Sequence, residues 1–157
     1  MSEISDAIQA KCLAFGDRII KLNDYLLKEA ANKKSEGGSQ KADRRGNSQT
    51  SYVRHQTCRI PVHLQAIATL CNQLLRSGTS IGANNAEATN AVSKTDFRSK
   101  SYIALKEARE SLYWIELLHR NNYIDDKQYA SIYGDCEELV KILVSRCKKL
   151  DAELNKE

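Results

Sequence analysis

Few residues in this sequence have the types and spacing that catalysis or metal binding requires. Glu116 and His119 are three residues apart, the spacing by which a helix supplies ligands to the metal pair of ferritin-like bundles. Such a site needs a second pair of this kind, and neither His55 nor His63 follows a glutamate by three residues. We therefore interpret His119 as a residue at a helix C-terminus, where a cation or hydrogen-bond donor is favourable.

The segment around residue 58 offers three further metal-ligand types, His55, Cys58 and His63. Zinc usually takes four ligands at fixed spacings, so these three do not form a recognisable zinc site. Gly78, Ser80 and Gly82 have the Gly-x-Ser-x-Gly spacing, but they lie within a predicted helix and not on the strand-to-helix turn that exposes a nucleophilic serine. The sequence also lacks a phosphate-binding glycine loop and a Cys-His pair at a known spacing. We expect no metal, no cofactor and no enzymatic activity, because no nucleophile, base and orienting group are assembled.

Basic residues occur in two groups that could contact phosphates. Segment 32–59 carries seven basic and two acidic residues, a net charge of +5, whereas the whole chain carries +4. The second group lies on the first half of a predicted third helix, where interleaved acidic residues make ordinary solubilising charge the alternative. Basic side chains bind phosphate without reading base sequence. The candidate contacts are Lys33, Lys34, Lys41, Arg44, Arg45, Arg54, Arg59, Lys94, Arg98, Lys100, Lys106 and Arg109.

Four segments must position these groups, and each shows apolar residues at steps of three and four, which predicts amphipathic helices. Two short connections and one long one predict a single all-α domain over 1–157, an antiparallel up-down-up-down four-helix bundle. Segment 32–59 has almost no large aliphatic residues and is predicted to be a flexible insert between helices 1 and 2. The predicted helices run from about Glu3 to Ala31, Pro61 to Val92, Lys94 to Asn121, and Asp126 to Leu154.

Helix starts are marked by familiar residue types. Pro61 suits a first helical turn because its missing N–H has no partner there. Ser93 with Asp96, and Asp125 with Gln128, have the spacing of capping boxes, although the first has a shorter acid than usual.

The second helix contains a run of small residues, RSGTSIGANNAEA, at 76–88. Gly78 and Gly82 should each cost about 1 kcal/mol relative to Ala in a helix interior. They lie four apart and share a face. We predict that this face lets a neighbouring backbone approach closely and that the helix is continuous; a kink or break at Gly78 is the alternative.

Polar residues near this small face need partners if they are buried. We expect Asn84 and Glu87 to make hydrogen bonds at the helix crossing and so to fix its register. On the third helix, Glu107 is a candidate to pair with Arg76 or with Asn84 across the bundle.

The cysteines and the N-terminus indicate the compartment. The chain has five cysteines and no C-x-x-C pair, the N-terminus lacks a signal peptide, and no apolar run is long enough for a membrane span. We expect a soluble cytoplasmic protein with reduced thiols. Four cysteines fall on apolar helical faces and are predicted core residues: Cys12, Cys71, Cys136 and Cys147.

Three segments resemble a known family: LLRSGTSIGANNAEA, then SKTDFRSKSYIALKEARESLYWIELL, then YID followed by DCEELVKIL. In this order and spacing they are similar to the bacterial four-helix bundle family of proteins encoded by intervening sequences in large-subunit ribosomal RNA genes. Relatives include accessory variability proteins of diversity-generating retroelements. The resemblance is strong over about 71–150 and looser over helix 1.

The resemblance implies an antiparallel four-helix bundle, commonly assembled as a ring-like homopentamer. It also implies that accessory relatives bind nucleic acid and a reverse transcriptase through basic outer surfaces. This chain departs from the family in its expanded 32–59 connection and in Asn85, where an apolar residue is more usual.

The sequence thus favours a non-enzymatic homo-oligomer that acts as a scaffold or as an accessory protein associating with RNA or DNA. The alternative is a protein-binding adaptor in which segment 32–59 is a docking arm and nucleic acid has no role.

Overall fold

The structure, a computed structural model, describes residues 3–36 and 62–156, with side chains at 5–32 and 64–156. It contains four α-helices: α1 Glu3–Glu36, α2 Val62–Thr89, α3 Lys94–Arg120 and α4 Asp126–Leu154. Helix α2 packs on α1 and α3, α3 packs on α4, and α1 touches α4 more sparsely. The predicted all-α four-helix bundle is therefore confirmed.

Along the contact between α1 and α2, residue numbers increase on α2 as they decrease on α1. Gly78 lies against Ile19. Gly82, one turn later in α2, lies against Cys12, which is about two turns earlier than Ile19 in α1. Antiparallel neighbours make contacts in this order. The up-down-up-down path of the whole bundle and its description as one domain over 1–157 stay predictions.

The start of α4 follows from its capping residues. The Asp125 carboxylate accepts the Gln128 N–H at 2.7 Å, and Gln128 Oε1 accepts the Asp125 N–H at 3.0 Å, which satisfies two backbone donors reciprocally. At α3 only half of this arrangement forms. Ser93 Oγ accepts the Asp96 N–H, but the Asp96 carboxylate accepts the N–H of Val92.

Helix α1 ends later than predicted, at Glu36 and not at Ala31. The residues after Ala31 include good helix formers such as Lys33 and Lys34, and the first strong helix breaker is Gly37. The prediction that 32–36 belong to a non-helical connection was therefore wrong. The rest of the predicted insert, 37–59, lies outside the described residues.

Helix α2 ends at Thr89, three residues before the predicted end at Val92. The Asn90 N–H donates to the Glu87 carbonyl and the Ala91 N–H to that of Ala88. These bonds tighten the last turn, which is common at helix ends.

The core is built from all four helices, and cysteines are part of it. Cys12, Cys71, Cys136 and Cys147 are buried and free, which confirms their predicted place; Cys58 lies outside the described residues. Burial raises the pKa of the Cys12 and Cys71 thiols to about 11 and that of Cys136 to about 12. Fully buried apolar side chains include Phe15, Ile19, Ile81, Ile115, Leu118, Leu139 and Leu143.

Candidate functional site

The basic group on α3 is partly committed to contacts within the bundle. Arg98 Nε donates to the Asp151 carboxylate of α4 at 2.6 Å, and its guanidinium lies over the Tyr102 ring. The Tyr102 hydroxyl donates to the same carboxylate at 2.5 Å. The bonds from Tyr102 and then Arg98 lower the pKa of Asp151. Arg98 therefore connects α3 to α4.

Lys100 is committed in the same way. Its ammonium group donates to the Glu87 carboxylate of α2, and this bond raises the pKa of Lys100. Glu87 therefore makes a hydrogen bond to a neighbouring helix, α3, as predicted. Its side chain is exposed, however, and not buried. Asn84 instead donates to the Ser80 carbonyl of its own helix at 2.8 Å.

The other α3 candidates face solvent. Lys94, Lys106 and Arg109 are exposed, and Lys106 borders a shallow surface depression with Arg98 and Tyr102. Lys33 and Lys34 belong to the last turn of α1, and their side chains lie outside the described ones. The remaining candidates also lie outside the described residues: Lys41, Arg44, Arg45, Arg54 and Arg59.

Elsewhere on the described surface, cations alternate with acidic partners. Each such exposed pair contributes little stability. The cross-helix pairs join Lys11 to Glu138 and Arg18 to Asp135, and the pairs within a helix join Lys28 to Asp24, Arg120 to Glu116 and Lys141 to Glu137.

The small face of α2 is in close contact with α1. Helix α2 is continuous through Gly78 and Gly82, so the predicted rod is confirmed over the alternative break. A Cβ atom at Gly78 would lie 3.0 Å from Ile19 Cγ1, and one at Gly82 would lie 3.4 Å from Cys12 Cβ. Gly78 in particular leaves no room for a side chain without a shift of Ile19, which is fully buried.

Asn85 carries the buried polar contact of this region. Its side chain is fully buried; Nδ2 donates to Gln9 Oε1 at 2.6 Å, and Oδ1 accepts from Arg146 Nη1 at 2.7 Å. Sequence reasoning marked Asn85 as a departure but missed Gln9 and Arg146. A single Asn in an apolar stripe signals that a partner exists, but not which residue it is.

A second buried polar contact joins α2 to α3. Ser111 Oγ lies 2.9 Å from Ser77 Oγ, and both residues are almost fully buried. Two short hydroxyl side chains allow close packing and satisfy each other. This pair was not predicted, although Ser77 belongs to the small-residue run.

The positive charge of Arg76 affects the pKa of Glu107. Burial, and then the neighbouring Glu110, raise the pKa of Glu107, while Arg76 lowers it. Of the two partners considered for Glu107, Arg76 is the one whose charge reaches it, and Asn84 bonds within α2.

The Glu-x-x-His pair on α3 is used locally. His119 Nε2 lies 2.8 Å from the Asp126 carboxylate, and its ring stacks on Tyr129. Glu116 accepts hydrogen bonds from the Tyr129 hydroxyl and from Arg120. His55 and Cys58 lie outside the described residues, as does the side chain of His63.

The described residues contain neither a metal-binding cluster nor a membrane-spanning helix. No group of three or more His, Cys, Asp or Glu side chains there is arranged to hold a metal ion. Nor does that part of the chain contain a helix with the length and apolar character needed to cross a membrane.

The fold and its contacts define a small all-α protein whose second helix carries a small-residue face against the first. Residues 54–145 match the family model described as 23S rRNA-intervening sequence protein. The chain belongs to this family, which confirms the resemblance noted in the sequence.

A solved structure supports this assignment. It is the crystal structure of a protein with unknown function from the S23 ribosomal protein family of Bacteroides thetaiotaomicron VPI-5482. The two chains are 36% identical with a TM-score of 0.65, and the match covers 92% of this chain and 98% of the other. Among curated proteins, none matches this chain.

Proposed function

We propose that this protein is a non-enzymatic, homo-oligomeric scaffold of the cytoplasm that associates with nucleic acid. The observation that carries the proposal is an apolar ridge on the outer side of α1, formed by Leu13, Ile20 and Leu27. Their side chains are 61%, 51% and 40% exposed. The seven-residue spacing places them on one face of the helix, and exposed apolar patches of this kind favour protein–protein contact.

A second copy of the chain is the partner that suits this α1 ridge. One side of the ridge is bordered by exposed charges of alternating sign, Asp17, Lys21, Asp24 and Lys28. In a ring-shaped assembly the interface is heterologous, so each copy would place its α1 ridge and this charged border against a different face of its neighbour. The homopentamer implied by the resemblance is the assembly that we propose.

The basic residues support nucleic-acid association. Arg98 and Lys100 are paired with Asp151 and Glu87, so among the candidates on α3 we assign the phosphate contacts to Lys106 and Arg109, together with the basic residues of segment 32–59. Several copies in one assembly would multiply weak phosphate contacts. The description of the family as 23S rRNA-intervening sequence protein points to RNA as the first nucleic acid to test.

Anisotropy of a labelled RNA hairpin, and of a DNA duplex of equal length, tests this proposal. We expect affinity to fall steeply between about 50 and about 200 mM salt. The double variant Lys106→Gln, Arg109→Gln should bind more weakly with a shallower salt slope. Lys141→Gln, which alters a cation already paired with Glu137, is the matched control and should change little.

A protein-binding adaptor is the second candidate, favoured by the pairing of Arg98 and Lys100 within the bundle. The α1 ridge would then bind a different protein, and a reverse transcriptase is the partner class that the resemblance implies. Absence of any salt-dependent binding to RNA or DNA would contradict the first proposal and favour the adaptor.

A further inference from the structure

A cavity of about 640 Å³ opens between α4, the first part of α3 and the N-terminal part of α1. This volume lies in the range of small-molecule sites. We call it the Arg146 cavity. Its apolar wall comprises Ile8, Phe97, Ile142 and Leu150, and its polar wall comprises Lys141, Ser145, Arg146, Lys149 and Glu153.

Arg146 is the half-buried cation of this cavity. Its guanidinium lies 5.5 Å from the centre of the Phe97 ring and donates to Asn85 at 2.7 Å. Burial lowers the pKa of Arg146. Among the described residues no carboxylate forms an ion pair with it, unlike Arg18, Arg98 and Arg120.

This arrangement leaves binding capacity unused. A guanidinium has five N–H donors, and Asn85 accepts from only one nitrogen of Arg146. A cation removed from water without a counter-ion is unfavourable, so an anion that enters the cavity would be stabilised.

The charged residues around the cavity also favour the binding of an anion. Lys141, Arg146 and Lys149 face a single acidic residue, Glu153. Lys141 is partly neutralised by Glu137, whereas Lys149 is exposed. The positive potential is therefore centred on Arg146 and Lys149.

We propose that the Arg146 cavity binds a small organic carboxylate with an apolar body. The carboxylate accepts two parallel bonds from the Arg146 guanidinium, the geometry for which Arg is best suited. The apolar body lies against Ile8, Phe97 and Leu150. Lys149 stands at the rim and adds charge without closing the site.

Titration calorimetry with three probes tests separately whether the carboxylate and the apolar body contribute to binding. Octanoate has both the carboxylate and the apolar body, octanamide lacks the charge, and acetate lacks the body. We expect octanoate to bind the wild-type chain at least about tenfold more tightly than either of the others, equivalent to about 1.4 kcal/mol.

Variants locate the site. Arg146→Gln should weaken octanoate binding by about tenfold or more, and Lys149→Gln by about two- to fivefold. Lys127→Gln, at an exposed lysine of α4 that does not line the cavity, is the matched control and should bind as the wild type does. Circular dichroism confirms that each variant is folded.

Three outcomes would overturn the proposal: no heat with octanoate, equal affinity for octanoate and octanamide, or equal weakening by Lys127→Gln and Lys149→Gln. If Arg146→Gln does not fold, the probe comparison on the wild type and the Lys149→Gln variant still decide. Neither readout depends on nucleic acid or oligomeric state.

Discussion

A single amide, that of Asn85, joins three helices. It accepts from Arg146 of α4 and donates to Gln9 of α1 while lying in α2. Loss of one partner from a buried hydrogen bond costs about 1–3 kcal/mol because the other is left unsatisfied. Asn85 thereby specifies one relative placement of these helices, which an apolar residue at the same position would not.

The closeness of Gly78 to Ile19 leads to a prediction on stability. In Gly78→Ala the new methyl would lie 3.0 Å from Ile19 Cγ1, and Ile19 is buried and β-branched, so its side chain yields little. We expect overpacking of about 1–3 kcal/mol to outweigh the gain of about 1 kcal/mol in helix propensity. Urea unfolding followed by circular dichroism measures the difference.

Gly134→Ala is the matched control for that substitution. Gly134 is also helical, but a Cβ atom there meets nothing within 4 Å. It should therefore stabilise the bundle by up to about 1 kcal/mol. A Gly78→Ala variant as stable as Gly134→Ala would show that α1 and α2 do not require the glycine.

Residue patterns show which side chains face inwards but not which residues they contact. The small face of α2 was predictable because Gly78 and Gly82 are four apart in a helical stripe. The partners of Asn85 were not, because they lie 76 and 61 residues away. Likewise Arg98 and Lys100 were assigned to a phosphate-binding group, since nothing local reveals Asp151 on α4 or Glu87 on α2.

At the scale of the helix, boundaries were predictable where side chains cap the backbone. Helix α4 begins at Asp126 as expected, because Asp125 and Gln128 satisfy the first donors of the helix. The end of α1 was misplaced because no such signal precedes Gly37.

The junction of α3 with α4 should respond to acid. Tyr102 and Arg98 hold the pKa of Asp151 below its usual value, so the folded state favours the carboxylate. This stabilisation is present above about pH 4 and is lost as pH falls through the lowered pKa. The difference in unfolding free energy between wild type and Asp151→Asn should therefore shrink from pH ~5 to pH ~2.

Glu107 provides a test of opposite sign. Burial and Glu110 raise its pKa, so the folded state disfavours the carboxylate, and stability is lost as pH rises through the raised pKa. Glu107→Gln should gain stability relative to wild type as pH rises above about 4. If both variants followed the same pH trend, the assigned environments would be wrong.

At the scale of the whole molecule, the α1 ridge should control assembly. The double variant Leu13→Lys, Ile20→Lys places charges where a second copy would make apolar contact. We expect sedimentation equilibrium to show a single chain, with an unchanged helical signal because both side chains are exposed.

Val92→Lys is the control for that experiment. Val92 is 94% exposed and lies between α2 and α3, away from the ridge. This variant should sediment as the wild type does. Dissociation caused by both changes alike would locate the interface elsewhere.

The reactivity of the buried thiols can report how the bundle unfolds. Cys12 lies on α1, Cys71 on α2, and Cys136 and Cys147 on α4. Because burial keeps each of them protonated and the thiolate is the nucleophile, an alkylating reagent meets them only after their helices separate. Alkylation rates at the separate cysteines would thus distinguish a bundle that frays helix by helix from one that opens all at once.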